Sequence, residues 1–362
     1  MAAQPLHLGW YNPVRVHWGV DCFQRLQASG PVVVLADRAA LSYENETLLV
    51  ERLGAHCKGW SWFMGGLASV TQAQALCEAL WPVMTEYPDA TVIAIGGGST
   101  LDLAKVLRFR MRNVADAVQC WRANRLPEDA VRHALVLVTT TAGTGSEVTR
   151  WATVWDTEVP EPVKLSWSPA DGFAEHAYVD PALTLSCPVR QTRDCALDTL
   201  AHALESLWNR HATPLSETLA VEAAQLVLHT LPTLLAQPRD LQARTAMARA
   251  SLLAGMAMSQ TQTALAHALS YELTLQEGMP HGEACAVWLP MVWELALGHA
   301  PACDAALARV WGGTAIDGAK QMRHWLQSLD VQPRDLRESD SGHAALETEM
   351  RSARGRNFIA SN

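Results

Sequence analysis

Asp198 and His202 are four residues apart in an alanine- and leucine-rich run, a spacing that places both side chains on one face of a helix. The neighbouring residues are apolar, so an ionised carboxylate there needs a strong partner, either the histidine alone or a metal ion. His267 recurs in a similar apolar run, and His281 follows a proline and precedes a predicted helix. One carboxylate and three imidazoles suit a first-row divalent ion such as Fe²⁺ or Zn²⁺, with a position left for a substrate oxygen.

A glycine-rich loop at 96–99 follows a predicted strand and opens a predicted helix. At such a point, free backbone N–H groups and the positive end of the helix dipole favour a bound phosphate, and glycines let the backbone approach it closely. Leu101 stands where the common dinucleotide motif has its third glycine. The loop is therefore either a dinucleotide loop of a different design or a tight turn.

A second loop, at 139–147, is rich in threonine and glycine and follows the next predicted strand. Strand ends on one side of a parallel sheet form the usual ligand crevice, so the two loops together favour phosphate binding. Asp37 ends the first predicted strand, where a carboxylate can hold a ribose 2′-hydroxyl and repel a 2′-phosphate. This position favours NAD over NADP, although an aspartate in a surface turn would give the same pattern.

The first half of the chain predicts the elements that would position these loops. Short β-branched runs at 31–37, 91–95 and 134–138 alternate with helical patterns such as 71–84, which indicates a mostly parallel sheet. After about Pro188, long alanine- and leucine-rich segments predict helices at 192–209, 215–234, 241–259, 281–298 and 317–328, with a polar connection at 329–345. We therefore predict an α/β, Rossmann-like parallel-sheet domain over 1–187, followed by an all-α helical-bundle domain over 188–362.

Composition restricts the class of protein. The 362 residues carry a net charge of −9, which argues against a nucleic-acid partner because phosphate neutralisation needs clustered lysine and arginine. We see no signal peptide and no apolar stretch of the roughly 18 residues that a membrane span needs, and so expect a cytoplasmic protein without a membrane partner. The eight cysteines form no C-x-x-C pair, which favours reduced, buried thiols.

Several motifs, in order, resemble the iron-containing (group III) alcohol dehydrogenase family. They are G-G-G-S-x-x-D-x-A-K at 96–105, T-T-x-G-T-G-S-E at 140–147, D-P-x-L-T at 180–184, D-x-x-x-H-A-x-E at 198–205 and P-H-G at 280–282. The resemblance implies a dinucleotide-binding domain, a helical domain and a divalent ion in the cleft, with homodimers expected. It assigns the metal ligands to Asp198, His202, His267 and His281, and the cofactor contacts to Asp37, Gly97, Gly98, Ser99, Asp102, Thr139, Thr140 and Lys164.

The chain departs from that family at Tyr271, which stands where many members carry a second histidine near the nicotinamide. A phenol can relay a proton, but its ordinary pKa of about 10 makes it a poorer base near neutrality. The surrounding run is similar to the phosphonoacetaldehyde reductase branch, whose substrate is dianionic. Arg150 and Arg193 are then either the guanidinium groups that meet the phosphonate or surface arginines.

The predicted function is reduction of a small aldehyde to a primary alcohol, with Tyr271 and His267 as the catalytic side chains and phosphonoacetaldehyde as the expected substrate. The expected cofactors are NAD, or NADP, together with Fe²⁺ or Zn²⁺. Another short-chain alcohol dehydrogenase of the family is the first alternative. A lyase of the dehydroquinate synthase type and a non-catalytic metal- or nucleotide-binding protein are the others.

Overall fold

The computed structural model describes residues 9–160 and 162–361. Ten strands lie in the first half of the chain. They are β1 Arg15–Trp18, β2 Val32–Asp37, β3 Cys57–Phe63, β4 Thr91–Gly96, β5 Phe109–Arg110, β6 Val131–Arg132, β7 Leu135–Thr139, β8 Ala152–Asp156, β9 Val163–Trp167 and β10 His176–Val179.

Six of these strands form one parallel sheet in the order β1-β10-β7-β4-β2-β3. The run Val32 to Ala36 in β2 is fully buried, as expected when both faces of a parallel sheet are covered. Because β2, β4 and β7 are parallel neighbours, Asp37, Gly96 and Thr139 all lie at the same carboxyl edge. The sheet therefore brings the two predicted phosphate loops together.

A separate antiparallel hairpin, β8 with β9, was not predicted from the sequence. Its register pairs Trp155 with Lys164 and Val154 with Leu165. Val154 and Trp167 are buried in the apolar layer that covers one face of the main sheet. The hairpin matters for the site because it positions Lys164.

Helices make up the rest of the fold. Four belong to the first half: α1 Tyr43–Leu53, α2 Val70–Glu86, α3 Gly98–Leu107 and α4 Val114–Arg122. Nine follow: α5 Val189–Leu207, α6 Pro214–Ala236, α7 Leu241–Thr261, α8 Leu265–Gln276, α9 His281–Ala286, α10 Leu289–Ala296, α11 Pro301–Trp311, α12 Ala315–Ser328 and α13 Asp340–Met350. The α/β sheet followed by helices confirms the predicted fold class. The domain boundary after residue 187 stays a prediction.

Two predicted segments differ from the structure. The helix expected over 281–298 is two helices, because Pro290 has no N–H to bond to the carbonyl of Ala286 and so begins a new helix. The polar connection expected to run to residue 345 already contains α13, whose N-terminus is capped when the Ser339 side chain accepts a hydrogen bond from the N–H of Gly342.

Helix α6 corrects the expectation that no apolar stretch is long enough to span a membrane. Its 23 residues include a window with a mean hydropathy of 1.4, enough by length and composition alone. Its buried residues, among them Val227, Leu231 and Leu234, belong to the apolar core of the helical half. Helices α5 and α7 pack against it, and a core helix of this kind meets the same two criteria.

Candidate metal and dinucleotide site

A cavity of about 580 Å³ lies between the carboxyl edge of the sheet and the helical half. The glycine loop, the threonine-rich loop, the β8–β9 hairpin and helices α5, α7, α8 and α9 contribute to its wall. The lining includes Gly98, Ser99, Asp102, Thr141, Thr144, Ser146, Lys164, Asp194, Asp198, His202, His267, His281 and Arg354.

The four residues predicted to bind a metal converge on one point of this wall. Asp198 and His202 come from one face of α5, His267 from α8, and His281 from the first position of α9. The Nε2 atoms of His202, His267 and His281 lie 3.6, 3.5 and 3.9 Å from Oδ1 of Asp198. Asp198 Oδ1 and His267 Nε2 are buried and have no hydrogen-bond partner. Because buried polar atoms are normally satisfied, these atoms and the geometry around them fit a shared cation.

A glycine allows α9 to reach α5. A Cβ atom built on Gly282 would lie 2.0 Å from the carbonyl oxygen of Asp194 and 2.8 Å from the backbone nitrogen of Asp198. No side chain fits there, so the P-H-G motif places His281 against α5 by direct backbone contact. This close approach explains why a glycine follows the histidine.

Glu205 orients the imidazole of His267. Its Oε2 lies 2.7 Å from Nδ1 of His267, and its two carboxylate oxygens also accept hydrogen bonds from the backbone N–H groups of Ala264 and His267. The charge of Glu205 helps to raise the pKa of His267 above its ordinary value. In the neutral ring, Nδ1 donating to this carboxylate leaves the lone pair on Nε2, which lies 3.5 Å from Oδ1 of Asp198. A carboxylate behind a histidine in this way is a regular feature of metal sites. Glu205 lies in a motif used for the family resemblance, but its positioning role was not predicted.

The protonation states of Asp198, His202 and His281 favour binding of a cation. Burial alone would raise the pKa of Asp198, but His202 and the other two imidazoles hold it below its usual range. Burial lowers the pKa of His202 to about 4. Burial, and then the charge of Lys164, hold the pKa of His281 well below its ordinary value. Asp198 is therefore ionised and these two rings are neutral near pH 7, which are the forms that bind metals.

Cys285 also belongs to this cluster, although the sequence had suggested only a buried thiol. Its Sγ lies 4.0 Å from Nε2 of His281. One ligand atom from each of Asp198, His267, His281 and Cys285 can be chosen so that all four lie within 4.8 Å of one another. The signal in the sequence was the spacing of four residues between His281 and Cys285, which puts both on one face of α9.

The glycine loop contributes to the same cavity as the imidazoles. Gly97 is the N-cap of α3 and provides no side-chain cap, so the first N–H groups of the helix are available to a ligand. A Cβ atom on Gly98 would lie 2.5 Å from Cγ2 of Thr144. Gly98 and Ser99 line the cavity, and the contact with Thr144 brings the two loops together.

Asp102 and Lys105 bind the two loops to each other. Asp102 accepts hydrogen bonds from Oγ of Ser146 at 2.6 Å and from the backbone N–H of Thr153 at 2.8 Å. Lys105 is fully buried and donates to Ser146 Oγ at 2.6 Å and to the carbonyl oxygen of Trp151 at 2.7 Å. Asp102 also lines the cavity. The lysine of the first motif is thus a positioning residue that the sequence analysis missed.

The remaining predicted cofactor contacts at the sheet edge lie just behind the cavity. Asp37 accepts a hydrogen bond from the N–H of Ala39 at 2.9 Å and is adjacent to Gly96. Thr139 donates to the carbonyl oxygen of Thr141, and the buried hydroxyl of Thr140 has no partner. Neither these three residues nor Gly97 are among the described residues that line the cavity. Their cofactor contacts stay predictions.

Lys164 and Arg354 are the cationic side chains that line the cavity among the described residues. The Nζ of Lys164 lies 4.6 Å, and the Cζ of Arg354 lies 5.7 Å, from the centre of the Tyr271 ring. Burial, and then the charge of Arg354, lower the pKa of Lys164 to about 8. Arg354 donates to Oγ of Ser166 at 3.2 Å and also to Thr263. No local pattern in the sequence pointed to Arg354.

Tyr271 lies behind this cationic pair. Its hydroxyl is buried without a hydrogen-bond partner, and burial raises its pKa above the ordinary value. Tyr271 is not among the described residues that line the cavity. The proton relay through Tyr271 stays a prediction.

Neither of the two arginines predicted to meet the substrate is among the described residues that line the cavity, and their substrate contacts stay predictions. Arg193 donates to Glu283 at 2.7 Å and to the carbonyl oxygen of Leu329 at 3.0 Å. These partners hold its guanidinium on a different face of α5 from Asp198. The guanidinium of Arg150 lies 5.6 Å from the ring centre of Trp151, and neither arginine is among the described residues lining the cavity.

Known proteins with similar sequences include several curated dehydrogenases. Long-chain-alcohol dehydrogenase 1 of Geobacillus thermodenitrificans is 40% identical over 204 residues, which cover 56% of this chain and 50% of the relative. Choline dehydrogenase of Bacillus subtilis is 30% identical over 66% of this chain and 60% of its own length. The 1,3-propanediol dehydrogenase of Klebsiella pneumoniae is 34% identical over 61% of this chain and 56% of its own length. The match thus spans between one half and three fifths of each relative.

Solved structures share the fold. A sulfoacetaldehyde reductase from Bifidobacterium kashiwanohense, in complex with NAD⁺, superposes with a TM-score of 0.84 at 24% identity over 97% of this chain and 94% of that one. A crystal structure of an iron containing alcohol dehydrogenase gives a TM-score of 0.75 at 25% identity, with the same coverage. The family model for iron-containing alcohol dehydrogenase matches residues 13–181, and the model for the C-terminal part of the Fe-containing alcohol dehydrogenase family matches 192–355. Together with the convergent aspartate and histidines, these matches show that the chain belongs to the iron-containing alcohol dehydrogenase family.

Proposed function

We propose that this protein catalyses reversible hydride transfer between a nicotinamide dinucleotide and a small aldehyde. The observation that carries the proposal is one cavity lined by two kinds of site. In the first, three imidazoles surround a buried, unpartnered carboxylate oxygen. In the second, the uncapped N-terminus of α3 and two glycine- and threonine-rich loops suit a bound phosphate.

Asp198, His202, His267 and His281 would hold a divalent ion, Fe²⁺ or Zn²⁺. When bound, such an ion supplies a Lewis acid that polarises the aldehyde carbonyl and stabilises negative charge on its oxygen. Glu205 keeps His267 in the tautomer with a free Nε2, and Gly282 keeps His281 close to α5. These contacts fix the ligand positions before substrate arrives.

NAD is the proposed cofactor, and the nicotinamide supplies the hydride chemistry. The N–H groups at Gly98 and Ser99 would bind the pyrophosphate, because they lie at the start of α3 and line the cavity. Asp37, at the carboxyl end of β2, would accept hydrogen bonds from the adenosine ribose and repel a 2′-phosphate. Trp151, Trp155 and Met258 make part of the wall apolar and exclude water from the reacting groups.

The proposed substrate is a small aldehyde that carries a dianionic group, with phosphonoacetaldehyde as the specific candidate. Lys164 and Arg354 support this choice because both line the cavity that contains Asp198 and His281. A guanidinium offers a planar pair of donors that matches two phosphonate oxygens, and an ammonium adds charge. The proton that completes the alcohol would come from water in the cavity.

The test is oxidation of NADH followed by absorbance, with phosphonoacetaldehyde and propanal as paired substrates. We expect turnover that is lost on chelation and restored by Fe²⁺ or Zn²⁺, and a much lower KM for phosphonoacetaldehyde. Replacing Arg354 by leucine should raise the KM for phosphonoacetaldehyde about 10- to 100-fold, because a hydrogen bond to a charged group contributes binding free energy of that order. The KM for propanal should stay unchanged. Arg356→Leu is the matched control on an exposed residue nearby in the chain.

Two outcomes contradict different parts of the proposal. Turnover that survives complete removal of metal would contradict the metal-dependent mechanism. Equal KM values for the two aldehydes would remove the phosphonate substrate and leave the dehydrogenase assignment in place.

A further inference from the structure

Cys285 occupies an unusual position for a buried thiol. It lies one turn after His281 on α9 and has no solvent exposure. Its Sγ is 4.0 Å from Nε2 of His281, and it completes the set with Asp198 and His267 in which all four ligand atoms lie within 4.8 Å of one another. His202, although its Nε2 is 3.6 Å from Asp198 Oδ1, lies outside that set.

Two further buried atoms point into the same space. Asp198 Oδ1 and His267 Nε2 have no hydrogen-bond partner, and their side chains are only 6% and 2% exposed. Ligand atoms in a tetrahedral zinc site lie roughly 3.3–3.6 Å apart, given bonds of about 2.0–2.3 Å. The separations here run from 3.5 Å between Asp198 Oδ1 and His267 Nε2 to an upper bound of 4.8 Å across the set, so the side chains would move inward when they bind an ion.

We propose that Cys285 is a further protein ligand of the metal ion, bound through Sγ. This inference depends on the metal site proposed above and adds a residue to it. On binding, the thiol loses its proton to solvent, and the sulfur–metal bond replaces the S–H bond without any change of oxidation state. A thiolate is a soft ligand, so Cys285 should favour zinc over ferrous iron in a site that otherwise contains nitrogen and oxygen donors.

Cobalt substitution of the full-length protein tests this assignment without measuring activity. Co²⁺ bound to a thiolate shows an intense sulfur-to-metal charge-transfer band in the near ultraviolet, and Co²⁺ bound only by imidazole and carboxylate does not. We expect the band in the Co²⁺-loaded wild type and its loss in both Cys285→Ser and Cys285→Ala. Cys195→Ser is the matched control, because Cys195 lines the same cavity but is absent from the four-atom set. That variant should keep the band.

X-ray absorption of the zinc-loaded wild type gives an answer even if the Cys285 variants fail to fold. A sulfur scatterer at about 2.3 Å from zinc is expected, beside nitrogen and oxygen at about 2.0–2.1 Å. Stoichiometric zinc with a shell of only nitrogen and oxygen would overturn the role of Cys285 and leave the proposed function intact. A protein that retains neither zinc nor cobalt would overturn both. A cobalt band that persists in Cys285→Ala would also overturn the inference.

Discussion

Glu205 is a fully buried carboxylate that is not among the described residues lining the cavity, yet its contact with Nδ1 of His267 leaves Nε2 of the neutral ring free. Glu205→Gln keeps the shape of the side chain and removes its charge. We expect the affinity for zinc to fall about 10- to 100-fold, as is usual when a carboxylate behind a metal-binding histidine is altered. Titration against a competing chelator measures the change.

The matched control for this substitution is Glu222→Gln. Glu222 lies on α6 and pairs with Arg249 on the protein surface, away from the cluster. Its variant should bind zinc as the wild type does. An unaltered zinc affinity in Glu205→Gln would show that the hydrogen bond to His267 does not orient the ring.

The proposed contact between Lys164 and the anionic group of the substrate predicts a pH dependence that differs between the two aldehydes. Its pKa is lowered to about 8, mainly by burial. The protonated form attracts an anion, so this attraction is present below the pKa and is lost as pH rises through it. The KM for phosphonoacetaldehyde should therefore rise as pH passes about 8, and the KM for propanal should stay level. Parallel pH profiles for the two aldehydes would count against a contact between Lys164 and the anionic group.

Asp37 should control the choice of dinucleotide. Its carboxylate lies beside Gly96 at the carboxyl edge of the sheet, where it can accept from a ribose hydroxyl. Asp37→Ser removes the charge that repels a 2′-phosphate. We expect the ratio of kcat/KM for NADH over NADPH to fall by about tenfold or more. If the ratio is unaffected, the ribose lies elsewhere.

Helix α9 shows how a single missing Cβ determines the geometry of an element. Gly282→Ala would place a carbon 2.0 Å from the carbonyl oxygen of Asp194, so α9 must move away from α5. We expect zinc binding to be lost and the free energy of unfolding to fall by about 1–3 kcal/mol, the usual effect of overpacking. Elemental analysis and denaturant unfolding measure the two effects.

Gly313→Ala is the control for that experiment, because a Cβ at Gly313 meets nothing within 4 Å. It should change neither metal content nor stability appreciably. A Gly282→Ala protein that retains stoichiometric zinc would mean that α9 can shift without moving the imidazole of His281 away from Asp198.

At the scale of the whole molecule, NAD and zinc should each stabilise the folded state. Their proposed sites form only when segments far apart in the sequence come together, so the unfolded chain lacks them. NAD or zinc at about 100 times its Kd should raise the free energy of unfolding by about 2.7 kcal/mol, provided that the unfolded chain does not bind it. Calorimetric scans with each ligand alone and with both together measure this. A thermal midpoint that responds to neither ligand would be incompatible with the proposed site.

The sequence predicted best what depends on local spacing. Asp198 and His202 are one helical turn apart, and the glycine loop lies between a clear strand and a clear helix, so both could be located without the fold. Contacts between side chains that are far apart in the sequence could not be predicted from local spacing. The ion pair of Arg193 with Glu283, for example, joins residues that are 90 positions apart in sequence.

The same limit explains why the proximity of Lys164 and Arg354 was not predicted, although Lys164 was named as a cofactor contact. Lys164 comes from a hairpin that was not predicted, and Arg354 comes from the C-terminal segment 190 residues later. Only the fold brings both against Tyr271. Two helix boundaries also differed from the prediction. They are set by single residues, the proline at Pro290 and the N-cap at Ser339, and the prediction used the broader apolar pattern instead.

Two kinds of packing occur around the cavity: close backbone contact at glycines next to its wall, and large side chains within the wall. A Cβ atom on Gly145 would lie 2.5 Å from Cα of Gly255, so the threonine-rich loop and α7 touch with no side chain between them. A glycine has no side chain that a substitution could shorten, so this contact cannot be opened in that way. The wall formed by Trp151, Trp155 and Met258 is made of large side chains that can be shortened. Laboratory evolution toward bulkier aldehydes should therefore accumulate its changes at those three positions and spare the glycines.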